Sequence, residues 1–210
     1  GMLASAMSGV PFSFTMHGPP EFFEADHWRL DEKVGRARFV ACISHFCRSQ
    51  LMLFANRADW QKLQIVRCAV DPDRYDRPRP RPAKRLLFVG RLAGVKGVPV
   101  LLEALWTLCR THPEVHLTLA GDGPERGSLE AMAETLGLED HVTFAGAASQ
   151  EAVAEHLARS DVLVLPSFAE GLPVVLMEAL ASRVPVVATR IAGVAELVED
   201  GRSRRTGLAT

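Results

Sequence analysis

From residue 86 onward, short unbroken apolar runs alternate with stretches whose apolar positions recur at helical spacing. Residues 86–90, 115–120, 141–144, 161–165 and 184–188 read as strands. Residues 98–112, 124–136, 150–159 and 173–182 read as helices, and 194–199 as a short one. In the first of these helices Val98, Leu101, Leu102, Leu105 and Leu108 share one face. Strands that are apolar throughout, rather than alternately, are buried on both faces, as in βαβ units on a parallel sheet. The fold class is therefore α/β, a doubly wound, Rossmann-like domain. The first 70 residues give a thinner version: strands at 12–15, 38–43 and 63–66, and a helix over 44–55 capped by Ser44. Three strands and one clear helix are too few for a complete domain of this kind. This half is either small or entered part-way.

Between the halves, residues 71–82 hold four prolines in twelve positions. Alternating Arg-Pro fits neither a helix interior nor a central strand and favours an extended path. The expected division is residues 2–70 as a partial N-terminal, acceptor-side domain, 71–85 as linker, and 86–210 as the C-terminal domain.

Composition changes the picture little. At 48% apolar and 23% charged residues the chain is neither fibre, disordered tail nor charge-rich coiled coil. No apolar run reaches the roughly 18 residues of a membrane span. The apolar first dozen residues lack a basic leader, so a cytoplasmic location is expected. Gly1 ahead of Met2 reads as a cloning scar. Cys42, Cys47, Cys68 and Cys109 form no CxxC pair and read as buried free thiols of a reducing compartment. The net charge of −1 gives no general attraction to nucleic acid. It conceals an asymmetry: residues 1–85 carry 14 basic and 9 acidic side chains, residues 86–210 carry 10 and 16. The Arg-Pro segment has one aromatic, Tyr75, and no second basic cluster, so it reads as linker rather than a nucleic-acid arm.

Ligands of open α/β sheets bind beyond the carboxyl ends of the strands. Three loops stand there: Gly90-Arg91 with Lys96-Gly97, Gly121-Asp122-Gly123-Pro124, and Pro166-Ser167 leading to Glu170-Gly171. Gly121, Gly123 and Gly127 miss the dinucleotide spacing by one position and read as a glycine-rich turn. No P-loop pattern occurs. Free amides at a helix start receive anions, and Arg91 and Lys96 add two cations on the same sheet edge, which suits a diphosphate. Glu170 and Glu178 are separated by about 12 Å along a helix, beyond the roughly 5–9.5 Å of a glycosidase pair. Two carboxylates at opposite ends of a longer ligand suit a nucleotide-sugar. Either glutamate alone reads equally well as a solvent-facing helix residue.

These pieces, with Glu178 followed by Ala179-Leu180-Ala181 and then Val184-Pro185-Val186-Val187-Ala188, resemble the retaining GT-B glycosyltransferases of glycosyltransferase family 4. Thr15-Met16-His17-Gly18 is similar to that family's His-Gly turn, and residues 65–71 to its entry into the interdomain linker. The resemblance runs from about residue 9 to 200. It implies retaining transfer of a sugar from a nucleotide-diphosphate-sugar donor to an unknown acceptor, such as a polysaccharide or lipid-linked glycan, without an obligatory metal. Arg91 and Lys96 would neutralise the diphosphate. Glu178 would accept hydrogen bonds from the ribose, Glu170 would orient the transferring sugar, and the backbone of Gly171, Leu172, Pro173 and Val174 would hold the donor at the helix start. Gly90, Gly121 and Gly123 would line the donor site, and His17 would contact the donor sugar. Without the family, His17 reads as a histidine hydrogen-bonded in a tight turn. No nucleic acid and no membrane span are implied; a peripheral membrane contact and a homodimer stay open.

Three departures stand out. Only the later half of the N-terminal domain is present, the chain stops before the family's closing helices, and Arg183 stands where a glycine usually ends the helix. Residues 202–205 read as a solvated insertion. Two further readings follow: a non-catalytic nucleotide-sugar-binding remnant, and a sugar-nucleotide epimerase on a similar fold.

Overall fold

The computed structural model describes residues 1–18, 22–78, 83–199 and 202–203. Contacts divide the chain into two units. The first comprises Gly1–Ala69, Glu170–Pro173 and Arg190–Thr210, the second Val70–Ala169 and Val174–Thr189.

The second unit is built on strands β4 (Arg85–Val89), β5 (His116–Ala120), β6 (Val142–Gly146), β7 (Val162–Leu165) and β8 (Val186–Ala188). They form one parallel sheet in the order β6-β5-β4-β7-β8. Helices α5 (Val98–Cys109), α6 (Arg126–Thr135), α7 (Gln150–Arg159) and α8 (Val174–Ala181) make the crossovers. Leu87, Phe88, Leu117, Leu119 and Leu163 are fully enclosed, as continuous apolar strands require. The helical face read from sequence buries Val98, Leu101, Leu102 and Leu105 in α5, while Leu108 is half-buried.

The first unit carries a parallel sheet of β1 (Phe14–Met16), β2 (Val40–Cys42) and β3 (Leu63–Ile65), with β2 central. Helix α4 (His45–Phe54) packs Cys47 and Leu51 into its core, and Ser44 caps it by accepting from the Cys47 amide at 3.0 Å. Its remaining first-turn donors go to a carboxylate far along the chain. His45 N donates to Glu196 Oε2 at 3.0 Å and Phe46 N to Oε1 at 2.9 Å, and Arg67 lies 3.3 Å from the same group.

Several expectations need correction. The first unit also contains α1 (Met2–Ser8), α2 (Ala25–Trp28) and α3 (Leu30–Arg36). They escaped the pattern because α1 buries nothing and α3 buries only Leu30 and Val34. Residues 194–199 are not a helix: a 3₁₀ turn, Ala192–Glu196, precedes β9 (Val198–Glu199), which pairs antiparallel with β10 (Arg202–Ser203) and pulls the backbone out straight. The start of the linker is not extended either. Pro72–Tyr75 is a 3₁₀ turn, with Pro72 in its first turn and Asp71 accepting from Asp73 N at 3.2 Å. The Arg79-to-Pro82 repeat lies outside the described residues. Pro173 precedes α8 rather than opening it. The cysteines are free, but Cys68 and Cys109 are only half-buried.

Arg183 does adopt the left-handed conformation that its position suggested, at φ 57°. A side chain there costs about 1 kcal/mol relative to glycine. Its guanidinium meets Asp76 at 3.1 Å, an exposed pair worth little. In an Asp76→Ala background, Arg183→Gly should raise the urea-unfolding free energy by about 1 kcal/mol.

Candidate functional site

In the second unit β5 and β6 lie to one side of β4, and β7 and β8 to the other. The chain's winding reverses between β4 and β7, and the crevice at such a reversal is where open α/β sheets bind ligands. The loop after β4, residues 90–97, stands at that reversal and is tied to both neighbours. On the β5 side Gly90 N donates to Ala120 O at 3.0 Å and Leu92 N to Asp122 O at 2.9 Å. On the β7 side Phe168 N donates to Val95 O at 2.7 Å. Leu92 is fully buried and anchors the loop from below, leaving Arg91 exposed beside it. Arg91 pairs with no carboxylate among the described residues. The Lys96 stem passes 3.9 Å from where a Gly90 Cβ would stand.

Backbone contact leaves no room for a Cβ at three glycines of these loops. A Cβ on Gly121 would overlap Gly90 O, and one on Gly123 would overlap Leu92 O. Gly97, which opens α5 at φ 67°, would drive a Cβ into Pro166 O. Thus Gly90, Gly121, Gly123, Arg91 and Lys96 are brought to one strand-end surface. Beside it Ser167, 1% exposed, has a hydroxyl with no partner among the described residues, while its carbonyl accepts from Thr189 Oγ1 at 2.5 Å. Val174 starts α8, and Glu178 follows in its second turn, 7% exposed.

Glu178 has a partner that sequence reasoning missed. Tyr75, in the 3₁₀ turn, donates its hydroxyl to Glu178 Oε1 at 2.7 Å. Burial, followed by the neighbouring carboxylate, pushes the Tyr75 hydroxyl up to about 12. The only available signal was one aromatic in a polar, proline-rich stretch.

The other predicted residues belong to the first unit. Glu170, Gly171, Leu172 and Pro173 are buried there, and His17 is exposed next to buried Gly18. Gly171 packs so closely that a Cβ would overlap His17 O, and Gly193 N donates to Gly171 O at 3.0 Å. The backbone of Glu170-Gly171 is therefore clamped between the His17-Gly18 turn and Gly193. Among the described residues no three His, Cys, Asp or Glu side chains are grouped to hold a metal, and no helix is long and apolar enough to cross a membrane.

Comparison with known proteins gives the family and the fold. The family profile described as "Glycosyl transferases group 1" matches residues 71–210. Alpha-D-kanosaminyltransferase of Streptomyces kanamyceticus is 40% identical over 116 residues, covering 55% of this chain and 30% of that protein. Glycogen synthase of Mycobacterium tuberculosis is 36% identical over 146 residues, covering 68% and 35%. The chain thus spans about a third of the length of these relatives. Among solved structures, Anabaena HepE in complex with UDP-glucose superposes with a TM-score of 0.81 at 25% identity, covering 94% of this chain and 58% of that one. Sucrose-phosphate synthase from Thermosynechococcus elongatus shares the fold, with a TM-score of 0.82 at 22% identity over 95% of this chain and 55% of that one. With its five-stranded parallel sheet and its glycine-bound strand-end loops, the chain belongs to the group 1 glycosyl transferases, the retaining GT-B enzymes of glycosyltransferase family 4.

Proposed function

We propose that the chain carries the donor-binding part of a retaining glycosyltransferase that uses a nucleotide-diphosphate sugar. The observation that carries this reading is the loop of residues 90–97, fixed at the winding reversal and presenting Arg91 and Lys96. Transfer breaks the bond between the anomeric carbon and a diphosphate oxygen, and negative charge gathers on the leaving diphosphate. Fixed cations at that place stabilise the charge more in the transition state than in the bound donor. Glu178 accepts hydrogen bonds from the ribose hydroxyls. The amides opening α8 receive donor oxygens, and helix starts favour such anions. Glu170 orients the transferring sugar and His17 contacts it, roles supported by the family motif and by the rigid backbone around Gly171. By the family resemblance residues 86–210 are the nucleotide-sugar domain, residues 2–70 the acceptor side and residues 71–85 the link, whereas contacts group 170–173 and 190–210 with the first unit and 70–85 with the second.

Isothermal titration calorimetry with UDP, GDP and ADP tests the reading. One of the three should bind, and Arg91→Ala and Glu178→Ala should each weaken it by about tenfold, as loss of a charge-assisted hydrogen bond does. Unchanged affinity in both variants would falsify the donor-site assignment.

A further inference from the structure

The linker does more than join two halves, because its 3₁₀ turn is fastened to the helices that follow β6 and β7. Arg74 donates to Gln150 and Arg77 to Glu151, both on α7. Asp76 pairs with Arg183 just past α8. At the centre of these exposed contacts stands Tyr75, 2% exposed, with its hydroxyl on Glu178 Oε1. A buried tyrosine hydroxyl needs an acceptor, and a buried carboxylate needs donors. Each supplies the other.

We infer that Tyr75 is a positioning residue for ribose recognition: by holding Oε1 of Glu178 it fixes the carboxylate and leaves Oε2 to receive the ribose hydroxyls. The inference rests on the donor-site reading above. A glutamate side chain has three rotatable bonds, and ordering it on binding opposes affinity. The tyrosine orders it beforehand. It is also ideally suited to a selective test, being the only tyrosine in the chain.

The experiment compares wild type, Tyr75→Phe and Glu178→Ala in calorimetric titrations with whichever of UDP, GDP and ADP binds tightest, and with its 2′-deoxy counterpart. Tyr75→Phe should weaken the ribonucleotide by about fivefold, the size of one ordinary hydrogen bond. It should weaken the deoxy analogue much less, so that the ratio of the two affinities falls. Equal losses for both sugars mean that Tyr75 only supports the fold, and overturn the inference. So does a Tyr75→Phe variant with wild-type affinities, and if Glu178→Ala still weakens binding the donor reading survives that result. Unchanged affinity in Glu178→Ala, or no binding by wild type, overturns both. Should Tyr75→Phe fail to fold, alkaline titration at 295 nm decides. The hydroxyl should ionise near pH 12 in wild type and lower in Glu178→Gln. Ionisation at the ordinary value of about 10 in wild type overturns the pairing.

Discussion

Replacing Gly97 with alanine is expected to lower the stability of the second unit by about 2–4 kcal/mol. Two costs add. The residue sits at φ 67°, where a side chain costs about 1–2 kcal/mol. Its Cβ would also meet the carbonyl oxygen of Pro166, a backbone atom that cannot swing aside. Relief requires moving either the start of α5 or the end of β7. Both moves disturb Lys96, the residue before Gly97, so nucleoside diphosphate binding should fall as well. Guanidinium unfolding followed by Trp106 fluorescence in a Trp28→Phe, Trp60→Phe background measures the first effect from within α5, and calorimetry the second. A midpoint within error of wild type would mean that the loop is looser than described.

Glu196→Ala should cost the first unit about 2–3 kcal/mol, since two amides at the start of α4 lose a charged acceptor. Glu196→Gln, which keeps one acceptor oxygen, should cost about half as much. Hydrogen exchange at His45 and Phe46 gives the site-specific readout: faster exchange there, with Cys47 still protected by Ser44. Protection unchanged at all three positions would remove Glu196 from the cap.

Much of the second unit was legible in the sequence because its signals are local and redundant. Most strand positions are apolar, with only Arg85, His116, Thr118 and Thr143 interrupting the runs, each helix between them has a buried face, and glycines end β4, β5 and β6. The strand order, and with it the reversal beside β4, was not legible, since it depends on which edges pair across more than 70 residues. The first unit was harder. Its helices α1 and α2 offer few apolar contacts, so no period emerged. For the site, Arg91, Lys96 and the glycines could be named because strand-end position alone makes them candidates. Tyr75 could not, because its meaning comes from a carboxylate 103 positions away. Composition marked residues 71–82 as linker and thereby concealed that Pro72–Tyr75 packs like part of a domain.

The long reach of Glu196 has a consequence for synthesis. Its partners in α4 lie 150 and 151 positions earlier, so they leave the ribosome well before it does. Domains usually fold in order of emergence. Here the earlier unit waits for its last capping group while the later sheet, all of whose strands lie between residues 85 and 188, can close without it. Until Glu196 emerges, α4 keeps its Ser44 cap but lacks an acceptor for the His45 and Phe46 amides, so a nascent chain stalled before residue 196 carries a less stable α4.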